Sequence, residues 1–391
     1  MRVRRLAVAL AVPIAVIPTF LAQPADAHTL TGVQPTNFRS ELVSVLPALP
    51  GVTVDILDLG RRIRLTNRGN IDVVIRGYQG EPYLRVGPAG VFENTHSPAV
   101  YLNKPAPPYA TTSTTLPKVA NSSAPPEWHR TSRSHTVTWH DRRTRWEGPS
   151  PPSVRSSPHD RQVVSPWLIT VTRGKDDAAI TGRILWVPPP SAVPWLALAV
   201  AFGLATAAAV FTRRWATFLA VALTVLVASD IVHSVASAWA THDGVGAVLF
   251  RVFVSGFYGT IAWVLGLSSI GLVARRNDLG LLLAGVTAFF LALLGGATDA
   301  SSLGRSQLGF SLPADVARFQ VALALGVGVG LVVASNTVAF LSRLNPQLRF
   351  GIPWEQIGGV VLVALAAALL MTIMPARAAG RLTPAEALRE G

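Results

Sequence analysis

The feature that most constrains this chain is a series of apolar stretches after Pro194. Six of them, near 195–211, 215–240, 247–274, 279–297, 318–341 and 354–374, are each long enough to cross about 30 Å of hydrocarbon as a helix. Lipid offers no water to the backbone, so such a region folds as helices that satisfy their own hydrogen bonds. The expectation is an all-α polytopic transmembrane bundle of about six helices. Residues 191–341 form its main part, and 342–391 form a last helix with its tail. Composition agrees. Half of the residues are hydrophobic and 14% are charged, against about 25% charged in soluble domains. A wholly soluble or disordered chain is excluded.

The first 27 residues read as a signal peptide. Arg2, Arg4 and Arg5 form the basic start, 6–22 is apolar, and Ala25-Asp26-Ala27 matches the small-x-small cleavage pattern. The mature chain then starts at His28. Residues 28–190 lack helical periodicity. Alternation at Val52, Val54 and Ile56, at Ile63 and Leu65, at Ile71, Val73 and Ile75, at Val137 and Trp139, at Trp167, Ile169 and Val171, and from Ile180 through Ile184 to Trp186 predicts strands. Asn67-Arg68-Gly69-Asn70 and Gly174-Lys175-Asp176-Asp177 read as hairpin turns. About seven short strands predict an all-β extracytoplasmic domain, an immunoglobulin-like sandwich. Cysteine is absent, so no disulfide or zinc–thiolate site holds it. The Pro-, Ser- and Thr-rich stretches 104–126 and 148–158 read as surface loops, and Pro188-Pro189-Pro190 as a stiff spacer before the membrane.

Topology follows from these parts. A cleaved signal puts the β-domain outside and the multi-pass bundle in the plasma membrane. The first helix then runs inward. Arg213-Arg214, Arg275-Arg276 and the loop with Arg343 and Arg349 fall inside, and His242-Asp243 and 298–317 fall outside. The tail with Arg377, Arg381 and Arg389 breaks this count, because parity puts it outside.

Two resemblances point in different directions. Gly351-Ile352-Pro353-Trp354, Pro375-Ala376-Arg377 and Pro384, Glu386, Leu388 and Arg389 resemble the end of an FtsX/MacB-type ABC transporter permease. That resemblance implies a cytoplasmic tail and an ABC ATPase partner, although 194–336 carries no match to the rest of a permease. The segments 77–84, 90–94 and Trp139-His140-Asp141-Arg142-Arg143-Thr144-Arg145-Trp146 are similar to those of uncharacterised exported bacterial membrane proteins that join a β-rich ectodomain to several helices. In that family the last motif reads Trp-His-Asp-His-Arg-x-His-Trp. Arg142 and Arg145 stand here where it carries histidines. The layout also resembles, at fold level, copper-resistance proteins with an exported β-sandwich and a helical membrane domain.

The chemistry-bearing residues are few. An N-terminal His28 presents amine and imidazole together, a chelate suited to Cu(II), with His96, His135, His140 and Asp141 as further donors. His140 and Asp141 form a histidine–carboxylate pair at a strand end. Arg142, Arg143 and Arg145 are candidates for anionic lipid or an acidic partner. Asp230 and His233 lie at i and i+3 on one helix face. Ionisable groups within a span are costly and usually face the bundle interior, so this pair reads as an ion relay or metal transfer point. The plainer alternative is a structural Arg251–Asp230 pair. Gly326, Gly328 and Gly330 form a close-packing face, and Gly266, Gly271, Gly295 and Gly296 read the same way. The chain has no GxSxG, HExxH, Walker A or Rossmann pattern and no nucleic-acid fold signature beside its +13 charge.

The expectation is therefore a non-enzymatic envelope protein whose ectodomain binds a ligand or partner, copper in its sharpest form. The metal ligands are then His28, His140 and Asp141 outside, and Asp230 and His233 at the membrane. The alternatives are a permease-like transporter subunit and an envelope scaffold.

Overall fold

The computed structural model describes residues 33–104 and 116–344. The signal peptide, His28, the 354–374 stretch and the permease-like tail lie outside the described residues.

Among the described residues, ten strands form two antiparallel sheets. They are β1 (Phe38–Leu46), β2 (Val52–Leu57), β3 (Arg62–Asn67), β4 (Val73–Arg76), β5 (Pro82–Gly87), β6 (Gly90–Asn94), β7 (Trp128–Ser132), β8 (Thr136–His140), β9 (Gln162–Arg173) and β10 (Asp176–Trp186). The order is β1-β10-β9-β4-β5-β6-β7 in the larger sheet and β2-β3-β8 in the smaller. Alternation puts Ile63 and Leu65 of β3, Val73 and Ile75 of β4, Ile169 and Val171 of β9 and Ile180 of β10 into one shared core, all fully buried. Trp139 joins them from β8.

The two expected hairpin turns fold differently. Gly174-Lys175 does close a tight β9–β10 hairpin, with Gly174 at φ +63. Asn67-Arg68-Gly69-Asn70, however, carries the chain from the small sheet to the large one. Its Asn67 is fully buried and donates to the Ile71 and Val86 carbonyls while accepting from Gly69. Ile71 is therefore left outside the core, 46% exposed. The 148–158 stretch holds a short helix, Pro152–Ser156, that buries Val154.

Among the described residues, five helical segments are long and apolar enough to cross a membrane: Val193–Phe211, Trp215–Trp239, Phe257–Ala274, Asp278–Gly304 and Ala314–Leu341. With the short helices α1 (Pro98–Leu102) and α2 (Pro152–Ser156) counted first, these contain α3 (Val193–Ala208), α4 (Trp215–Trp239), α6 (Phe257–Ala274), α7 (Asp278–Leu291) and α8 (Ala314–Leu344). A shorter helix, α5 (Val245–Phe250), runs into a π-helical segment, Arg251–Ser255, and stops at Gly256. The single 247–274 stretch of the sequence is therefore two elements. The helix α7 continues as a second π-helical segment, Ala292–Ala297.

Small residues set the packing. A Cβ on Gly326 or Gly330 would strike the backbone of α3 at Ala199 or Gly203, and one on Gly328 would strike Ala292 of the neighbouring π-segment. The glycine face is thus an internal groove of the bundle. Gly266 likewise abuts Val227 and Thr287, whereas Gly271 faces nothing within 4 Å among the described residues.

The helices have two distinct ends. The Arg276 guanidinium donates to the Arg213 carbonyl at 3.2 Å and lies 5.8 Å from the Trp215 ring, so both arginine pairs meet at one end. The other end is fastened to the sheets. Thr36 and Gln307 exchange two backbone hydrogen bonds of 2.9 Å. Ser306 bonds to Asn37 Oδ1 and to the Val187 carbonyl, both at 2.9 Å. Arg62 of β3 reaches Asp243 Oδ1 and the Thr241 carbonyl, both at 2.8 Å. The triproline segment is therefore bypassed by direct contacts on either side of it.

Candidate functional site at the sheet-facing end of the bundle

Asp230 and His233 do share one face of α4, and that face is turned into the bundle. Asp230 is 8% exposed, and the side chain of His233 is 13% exposed. Because α4 runs to Trp239, Asp230 sits about two and a half turns inside the helix end.

Three other elements complete the centre. From α6, Trp263 Nε1 donates to Asp230 Oδ2 at 2.7 Å. From the π-segment, Gly295 lies so close that a Cβ there would meet Asp230 Oδ1. Only glycine admits the carboxylate at this distance. Just past that segment, Asp299 Oδ2 faces His233 Nε2 at 3.1 Å. From α8, Gln320 Oε1 faces His233 Nδ1 at 3.2 Å. The ring of Phe310 lies 5.2 Å from that of His233.

The hydrogen-bond directions carry chemical information. Gln320 Nε2 donates to the Ser229 carbonyl at 3.3 Å, which turns its Oε1 toward His233. Both ring nitrogens of His233 therefore face oxygen acceptors. Only the doubly protonated ring satisfies both at once. His233 thus has one carboxylate in contact, Asp299, and a second, Asp230, on its own helix face.

Arg251 is not the partner of Asp230. It bonds to Asp243 and to Thr241 Oγ1, and Asp243 is shared with Arg62. Burial opposes the Asp243 charge, but the Arg62 and Arg251 hydrogen bonds outweigh it and hold the carboxylate below its ordinary value. Arg62 also pairs with Asp58. The chain Asp58–Arg62–Asp243–Arg251 thus ties the small sheet to the loop after α4.

The Trp139–Trp146 motif is tied together around Asp141. Asp141 follows β8, its side chain is fully buried, and its oxygens accept four hydrogen bonds. The donors are Trp139 Nε1 at 3.0 Å and the Arg143 backbone N–H, Nε and Nη2 at 3.0, 2.9 and 2.7 Å. Arg143 also lies over the Tyr78 ring at 4.9 Å, and Tyr78 Oη accepts from the Arg142 N–H. The 77–84 and 139–146 segments therefore meet in one structural knot. Four donors occupy the lone pairs that a metal would need.

His140 does not pair with Asp141, since successive strand residues point to opposite faces. It lies opposite Arg62 in the β3–β8 register. Burial, then the Arg62 and Arg145 charges, hold its imidazole below the ordinary histidine value. Two guanidinium groups repel a cation there. Among the described residues, no group of three or more His, Cys, Asp and Glu side chains could hold a metal ion.

Asp299, Gln320 and Trp263 were not legible as site residues, and neither was Arg62. Their partners lie 66, 87, 33 and 181 positions away. The one available signal was an aspartate directly after an apolar stretch, at Asp299.

No family model, no curated protein and no solved structure matches this chain. Fold alone does not carry a function, so the functional argument rests on the site.

Proposed function

We propose that the protein is a non-enzymatic, multi-pass component of a bacterial plasma membrane that couples its exported β-domain to a proton-binding centre in the bundle. In this reading the two sheets are an immunoglobulin-like sandwich outside the cell, and 354–374 adds a sixth helix. The basic end formed by Arg213 and Arg276 faces the cytoplasm, as the positive-inside rule favours.

The observation that carries the reading is the placement of His233 between Asp299 and Gln320, with Asp230 on the same helix face. Ionisable groups at such depth are costly and mark functional centres by default. The loop after Asp299 then makes the backbone bridge to Thr36 and the Ser306 contacts. A change of protonation at His233 acts on the segment that fastens the sheets. Conversely, a ligand or partner on the sheets acts on the proton.

Hydrogen exchange on the full-length protein in nanodiscs tests this. Protection of 298–311, corrected for intrinsic exchange chemistry, changes between about pH 5 and pH 8. The change is absent in His233→Gln. Equal protection across that range in the wild type, or an unaltered response in His233→Gln, refutes the coupling.

A further inference from the structure

A second site lies in the sheets, beside the junction with the bundle. A cavity of about 220 Å³ is bounded by Gln34, Ser40, Asp58, Arg61, Arg145 and Glu147, among others. Its Thr36 wall carries the backbone bridge to Gln307, and its Val33 wall packs against Gly309. It therefore sits level with the sheet-facing end of the helices.

The charges in its wall are unequal. Asp58 is bound to Arg62 and Glu147 to Arg145. Arg61 bonds only weakly to Gln34 Oε1, at 3.3 Å, and has no ion pair among the described residues. Burial, then the neighbouring Arg145 charge, push the Arg61 guanidinium below its ordinary value. The wall thus carries two guanidinium groups and two carboxylates, Asp58 and Glu147, which partly offset the Arg145 charge at Arg61, and Arg61 is the guanidinium held by no ion pair among the described residues.

A second observation points the same way. Ser40 Oγ and Arg145 Nε can donate and are buried without a hydrogen-bond partner among the described residues, whereas the equally unpaired Asp58 Oδ1 can only accept. Buried polar atoms are normally paired, and each exception needs an explanation. Both donors belong to residues that bound this one cavity.

We propose that this cavity is a phosphate-binding site in which Arg61 and Arg145 hold the anion and Ser40 contributes a hydroxyl. Guanidinium groups suit phosphate because their N–H forks match its oxygens. The phosphate is that of a membrane lipid headgroup or of a free phosphate ion. The proposal is independent of the proton centre, since no residue is shared.

The test uses full-length protein. Inorganic phosphate binding is measured by calorimetry in detergent, and retained phospholipid is counted by native mass spectrometry. Saturable phosphate binding without retained lipid identifies the free ion. Retained phospholipid identifies the headgroup. In either case Arg61→Gln lowers binding or retention by about tenfold or more, and Arg61→Lys restores part of it. Ser40→Ala removes only a hydroxyl and weakens binding by a smaller factor, which keeps the test valid if Arg61→Gln disturbs folding. No phosphate binding and no retained lipid, or values indifferent to both variants, overturns the proposal.

Discussion

Replacing Asp141 by alanine separates a structural carboxylate from a ligand. The side chain is fully buried, while that of Arg143 is 21% exposed. The substitution strands the Arg143 guanidinium and the Trp139 indole N–H together. Removing one partner of a buried pair costs roughly 3–5 kcal/mol. The partial exposure of Arg143 puts this case at the lower end, about 3 kcal/mol. Set against a total domain stability of about 5–15 kcal/mol, that is a large fraction. Urea unfolding of the full-length protein in mild detergent, followed by tryptophan fluorescence, reads it out. With a urea slope of about 2 kcal/mol per molar, the β-domain midpoint falls by about 1.5 M. Asp141→Asn keeps shape and one acceptor and falls about half as far. A double-mutant cycle with Arg143→Met returns a coupling of about 2 kcal/mol. A loss below about 1 kcal/mol in Asp141→Ala, with no coupling, would refute the argument and reopen Asp141 as a binding residue.

The remaining predictions concern the other charged groups. The folded value of His140 is depressed, so below about pH 6.5 the unfolded chain takes up the proton first and stability falls as pH falls, by at most about 1.4 kcal/mol per pH unit. His140→Gln flattens that slope in urea midpoints measured between about pH 5 and 7, and an unchanged slope removes His140 as its source. Arg62→Leu leaves Asp58, 8% exposed, without its partner and costs about 3 kcal/mol. Exchange at 240–244 rises with it, and unaltered exchange there shows that the ionic chain does not fasten the loop. Gly295→Val drives the Asp230 carboxylate off Trp263 and abolishes the pH response of 298–311, and a variant that keeps this response shows that the close approach is dispensable.

Much of the architecture was legible because two periodicities are strong. Apolar length marked the helices, and alternation marked β3, β9 and β10. The breaks were not legible. The π-segment after α5 stops at Gly256 within a largely apolar run, and β1 lies at a sheet edge, where its Val43 is 60% exposed and alternation fades. In β5, Tyr83 and Leu84 are both buried, so the strand reads as a run. At the site, sequence could find Asp230 and His233 because both lie on one helix. It could not find Asp299, Gln320 or Trp263, whose nearness is a product of bundle packing. Nor could it see that Asp141, beside a histidine in sequence, turns away from it toward Arg143.

The π-helical segment Ala292–Ala297 has a mechanical consequence. A π-turn carries one residue more than the α-turn it replaces. Tightening it to α would advance everything downstream by one residue. That is a rotation of about 100° and a slide of about 1.5 Å. Asp299 begins two residues beyond the segment, so such a step would swing its carboxylate off His233 in one discrete click. The segment stands directly before Asp299 and the loop bonded to the sheets, so its register fixes where that carboxylate meets His233.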